Sequence, residues 1–132
     1  MKYLVLTLVC ISSSSASHAS ETEKQICVSL TKMQKDVALK LPYQVSEFWY
    51  NTQVYVDCDE KVFYSVKKHT VLKVGEFEAN YAEKFRNQTS TSPICNNPII
   101  KEDLGWEFSF TLQDAEGHYV TSATASYQTC NE

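Results

Sequence analysis

Cys95 stands two residues before Asn97-Pro98, in the stretch CNNPIIKEDLGWEFSF that runs from Cys95 to Phe110. A cysteine beside a helix start is placed for nucleophilic chemistry, because the positive end of the helix dipole favours the thiolate. A nucleophile of that kind also needs a base within reach. The stretch has no histidine, and the chain has three in all, His18, His69 and His118. The same cysteine can instead be half of a disulfide. Cys27, Cys58, Cys95 and Cys130 form an even set in a small chain that opens with an export signal, and such a set reads as two disulfides. Cys95 is therefore read as a staple, no catalytic residue is assigned, and the chain is expected not to be an enzyme.

Other chemistry finds little support. The run DCDE, Asp57 to Glu60, has clustered carboxylates but neither the loop glycine nor the downstream ligands of a calcium site, and reads as a solvated turn. The histidines have no metal-ligand spacing. With three glycines, the chain holds neither a phosphate-cradling loop nor a nucleophile elbow. No cofactor and no metal is expected. Asn87-Gln88-Thr89 is a glycosylation sequon that has meaning only in a eukaryotic host.

The opening MKYLVLTLVCISSSSASHAS has one basic residue, an apolar run from Tyr3 to Ile11, a serine-rich segment and a small-x-small end at Ser17-His18-Ala19. The apolar run is far short of the ~20 residues that span a bilayer. Residues 1–19 read as a secretory signal peptide removed near Ala19, leaving residues 20–132 as one domain in the periplasm or outside the cell. A lipidated Cys10 is the rival reading, but Val9 precedes it where a lipoprotein signal wants a small residue. Lys2 leaves with the leader, so the net charge moves from −4 to −5. No basic run with interleaved aromatics is present, so nucleic acid is not an expected partner. No second long apolar run exists, so no membrane span is expected.

The cysteines must be held by regular elements. Thr22 and Gln25 fit a capping box, and Ile26, Leu30, Met33, Val37 and Leu41 form one helical stripe, so a helix is expected over about 23–41, stopped by Pro42. The β-branched and aromatic run from Ser46 to Leu72 predicts a hairpin turning near Asp57–Lys61. Pairing Val56 with Val62 places Tyr50, Thr52, Val54, Val56, Val62, Tyr64 and Val66 on one face. Trp49, Tyr55 and Phe63 then share the other, with His69 opposite Trp49. If helices cover only the first face, these four are exposed partner-binding candidates. Phe77, Tyr81 and Phe85 lie four apart in a second helix over 76–88.

Asn97 reads as an N-cap with Pro98 at the first helical position, and Gly105 as the left-handed residue that ends about two turns. Trp106, Phe108, Phe110 and Leu112 alternate with polar residues in a strand. Pairing Gln113 with His118 across DAEG sets these large side chains opposite Tyr119, Thr121, Ala123 and Ala125 in a second hairpin. The fold class is α+β, with a four-stranded antiparallel sheet made of two hairpins and helices packed on one face. Four cysteines allow three pairings. Cys27–Cys58 and Cys95–Cys130 is the first choice, because each sequential pair closes one supersecondary unit.

The C-terminal half, FRNQTSTSPICNNPIIKEDLGWEFSFTLQDAEGHYVTSATASYQTC, resembles small bacterial periplasmic proteins that include the AspS-like pilotins of the type II secretion system. The matching features are a helix, a cysteine followed two residues later by Asn-Pro, a short helix ending in Gly, a Gly-turned hairpin and a terminal cysteine. The resemblance implies a disulfide between Cys95 and Cys130. It also implies a non-enzymatic protein that grips a short segment of an outer-membrane secretin subunit. The sequence departs from that pattern in its poor lipidation site at Cys10 and in its additional pair, Cys27 and Cys58. The expected function is thus a small exported protein-binding domain, with a pilotin-like secretion accessory as one form. A periplasmic immunity or inhibitor protein against a toxin or hydrolase is the alternative.

Overall fold

The structure, a computed structural model, describes residues 22–132. The expected leader, its expected cleavage site near Ala19 and Cys10 lie outside the described residues. Helix α1 covers residues 22–38, and a cis Leu41–Pro42 bond leads out of it. Strands β1 (Tyr43–Gln44), β2 (Trp49–Asp57) and β3 (Val62–His69) follow. A 3-10 turn at Val74–Glu76 precedes α2 (Tyr81–Ser90), and a second at Pro93–Asn96 precedes α3 (Pro98–Lys101). Strands β4 (Glu107–Gln113) and β5 (Tyr119–Ala125) and a last turn of helix, α4 (Tyr127–Cys130), complete the chain.

The class is α+β, as expected, but the sheet has five strands rather than four, in the order β1-β2-β3-β4-β5. β1 is an added edge strand of two residues, too short to show alternation. The join between the hairpins is parallel, β3 to β4, rather than antiparallel. A parallel neighbour needs a crossover of a dozen or more residues, and the helical block between His69 and Glu107 supplies it.

The first hairpin turns more tightly than expected. Asp57 pairs with Val62, and Asp57 Oδ1 accepts the N–H groups of Asp59 (3.1 Å) and Glu60 (3.0 Å) while Lys61 takes a positive φ of 56°. Val56 therefore meets Phe63, one residue off the expected register. A β-bulge between Asn51 and Gln53 absorbs the slip, and Trp49 still pairs with His69. A one-residue slip turns a strand over, so Phe63, Ser65, Lys67 and His69 join Val54 and Val56 on the helix-covered face.

That face holds the core. Leu30, Val54, Val56, Phe63, Ile100, Trp106, Phe108 and Ala125 form one buried cluster, with Ile26, Val37, Leu41, Ile94 and Leu104 packed against it. The α1 stripe is realised as far as Val37, the helix ending at residue 38 rather than about 41, and the alternation of β4 is realised. The β4–β5 partners are shifted by two residues, so Phe108 faces Ala125 and Phe110 faces Ala123. An even shift keeps parity, and large side chains still face small ones. Asp114 sets this turn: its buried carboxylate accepts from Glu116 N (2.9 Å), His118 N (2.8 Å) and, across the fold, Val74 N (3.0 Å).

Both expected disulfides are present, Cys27–Cys58 and Cys95–Cys130, each with Cα atoms 5.7 Å apart. Asn97 caps α3 by accepting from Ile99 N at 3.0 Å; the left-handed residue just past its end is Asp103 (φ 52°) rather than Gly105, whose φ of 81° lies further on, before β4. α3 is shorter than expected, one turn rather than two. α2 begins at Tyr81 rather than 76, leaving Phe77 in extended backbone.

Candidate functional site

Over the sheet, between α1 and the segment from Ile94 to Ile99, runs a groove of about 580 Å³. Its walls are Leu30, Met33 and Val37 from α1 and Ile94 and Ile99 from the segment tied by Cys95. Its floor is Val54, Phe63, Phe108 and Phe110, and Tyr43 and Val45 close one end. A second hollow of about 320 Å³, lined by Phe85, Thr89 and Pro93, continues the first and shares Lys67, Ile94 and Phe110 with it. Met33 at 40% and Val45 at 42% exposure leave apolar surface open at the rim.

Ser29, Asn97, an Asn51–Ser65 pair and Lys67 interrupt the apolar lining. Ser65 Oγ donates to Asn51 Oδ1 (3.0 Å), and Asn51 Nδ2 donates to Tyr43 Oη (2.8 Å), so the buried amide and hydroxyl are satisfied. Lys67 lies half-buried with Nζ 5.8 Å from the Phe110 ring centroid. Burial holds its ammonium below the usual lysine range.

The four sequence-derived candidates do not form one exposed patch, because of the register slip. Phe63, 9% exposed, is part of the groove floor and packs on Phe108 with ring centroids 5.3 Å apart. Tyr55, 54% exposed, lies on the uncovered face beside Tyr64. Trp49 and His69 come together in a separate aromatic hollow of about 410 Å³ with Phe48, Phe77 and Tyr81. The groove residues Met33, Lys67 and Phe110 were not singled out from the sequence. The available signal was Lys67, a charge sharing strand parity with Phe63 and His69.

His69 is 7% exposed, and its Nδ1 accepts the N–H groups of Val71 (3.0 Å) and Leu72 (2.9 Å). Nδ1 therefore carries no proton, and the ring is neutral with its hydrogen on Nε2. Burial lowers its pKa. The unfolded chain then takes up a proton near pH 6.5 while the folded chain resists it. Stability should be complete above about pH 6.5 and decline as pH falls through that value toward the lower folded one. Urea midpoints should drop between about pH 7.5 and about pH 5.5, and His69→Asn, which keeps an acceptor without titrating, should remove part of that slope.

The class defined by these features is a disulfide-stapled α+β domain with an apolar groove between helix and sheet. No family model matches the chain, and no curated protein matches it by sequence. Solved structures do share its fold. A presumed secreted protein from Pseudomonas aeruginosa aligns with TM-score 0.63 at 14% identity, over 82% of this chain and 95% of that one. The type 2 secretion system pilotin EpsS of Vibrio vulnificus aligns at 0.60 and 12% identity, over 84% and 96%. The type II secretion system pilotin AspS of Vibrio cholerae aligns at 0.58 and 12% identity, over 84% and 97%. The chain therefore resembles pilotins of this class in fold.

Proposed function

We propose that the protein is an exported, non-enzymatic binding domain that holds a segment of a protein partner in the groove between α1 and the sheet. A pilotin-like accessory role, with a secretin subunit as partner, is the form of this reading that the shared fold favours. The observation that carries it is the groove itself: a mainly apolar trough of about 580 Å³ left open on the core face, with Met33 and Val45 exposed at its rim. An uncovered apolar surface of that kind marks a partner site in a stable soluble domain. The expected leader and the two disulfides, which persist in oxidising compartments, support export.

The test is affinity capture of the mature protein from its own periplasm, with identification of what co-elutes. A secretin subunit is expected, and Met33→Glu should abolish its capture, because a carboxylate at the rim meets apolar partner atoms. Met33 is partly exposed, so the variant should unfold at nearly the wild-type temperature. Capture of a toxin or hydrolase would replace the pilotin-like role with the immunity reading. A partner retained undiminished by Met33→Glu would remove the groove from the account.

A further inference from the structure

One charged side chain lines the groove, Lys67, and neither the groove nor its continuation is lined by Asp or Glu. This is unusual in a chain with more carboxylates than cations. On the surface, Lys61, Lys73 and Lys84 each pair with a glutamate. Lys67 makes no side-chain hydrogen bond or ion pair among the described residues; its recorded contact is the face of Phe110. It lies where the two hollows meet: on one side the lining is mainly apolar, and on the other Phe85, Pro93, Ile94 and Phe110 are joined by Gln88, Thr89 and Ser92.

A segment covering this trough with apolar atoms alone would strip the remaining water from the ammonium and leave its charge uncompensated, at a cost in affinity. A carboxylate set against Nζ offsets that cost and adds a charge-assisted hydrogen bond. The anion is required partway along the occupant, with apolar groups on both sides. A fatty acid carries its carboxylate at one end; a polypeptide can carry it in the middle. Resting on the protein-binding reading above, we propose that the groove takes a partner segment in which apolar side chains flank a single Asp or Glu, whose carboxylate pairs with Lys67. Lys67 then selects among apolar segments: it rewards those with the acid and penalises those without.

The experiment pans a displayed library of random peptides of about 15 residues, roughly four helical turns, against the mature oxidised protein and its variants. The wild type should enrich apolar peptides with one acidic position. Lys67→Glu should enrich Lys or Arg there instead, and Lys67→Met should keep the apolar pattern and lose the charge preference. The best wild-type peptide should bind Lys67→Glu at least about tenfold more weakly. Thermal melts of both variants close to wild type establish that they are folded.

Apolar peptides enriched without charge preference would overturn this inference and leave the groove reading standing. Enriched peptides indifferent to Met33→Glu, or no enrichment at all, would overturn both. Retention of laurate in place of peptides, or a dimer in solution that Lys67→Glu dissolves, would give the groove to a lipid or to a second copy and likewise overturn the proposal.

Discussion

Trp106→Ala is expected to destabilise the domain by about 3–5 kcal/mol, the range for deleting a large aromatic from a packed core. Trp106 is 3% exposed and belongs to the same cluster as Ile100, Phe108 and Ala125. It follows Gly105, whose positive φ turns the chain from the α3 segment into β4. The indole therefore joins the short-helix segment to the central strands. Domains of this size are stable by only about 5–15 kcal/mol, so the loss is a large fraction of the total. Urea unfolding should show a much lower midpoint with little change in slope, and Trp49 remains as the fluorescent reporter. Trp106→Phe, which keeps most of the apolar volume, should recover over half of the loss. A loss below ~1 kcal/mol for the alanine variant would show that Trp106 is not central to the core.

Removing the Cys95–Cys130 bridge with a Cys95→Ala, Cys130→Ala pair should cost close to 4 kcal/mol in the chain-entropy model, within the usual 2–5 for a native disulfide. The bridged residues are 35 apart in sequence. The bond ties the segment carrying Ile94 and Ile99, one groove wall, to the turn of helix after β5. Cys27–Cys58, 31 apart, spans a loop of nearly the same length, so its entropic contribution is nearly the same. Its position differs: it pins α1, the opposite groove wall, to the end of β2. Both double variants should therefore melt at lower temperature, and both should weaken peptide capture under conditions where they remain folded. Equal melting temperatures with and without either bridge, measured on reduced and oxidised protein, would contradict the prediction.

Much of the local architecture was legible from residue order because short-range geometry decides it. Asn97-Pro98 starts a helix wherever the backbone permits, since the side chain caps an N–H two residues on and proline gives up none that is needed. Gly105 takes a φ that costs other residues energy. Trp106, Phe108, Phe110 and Leu112 share a face by the pleat alone. The disulfide pairs follow from the same locality, because each closes one supersecondary unit. The solved secretion pilotins share the fold over 84% of this chain.

What escaped the residue order depends on counts and gaps between elements. One residue fewer in the turn at Asp57, offset by a bulge at Thr52, put Phe63 and Lys67 on the covered face; strand alternation favoured the other register, because this one sets Lys67 on the face of Val54 and Val56. The parallel join of β3 to β4 depends on where the helical block returns the chain, which no strand pattern records. The groove is the space that α1 and the segment around Ile94 and Ile99 leave between them on the sheet, and a space has no residues of its own. Capping and the pleat thus follow from chemistry within a few residues, and cysteine pairing from supersecondary units whose ends lie 31 and 35 residues apart. The candidate site exists only once α1, the sheet and the segment around Ile94 are packed at their final separations.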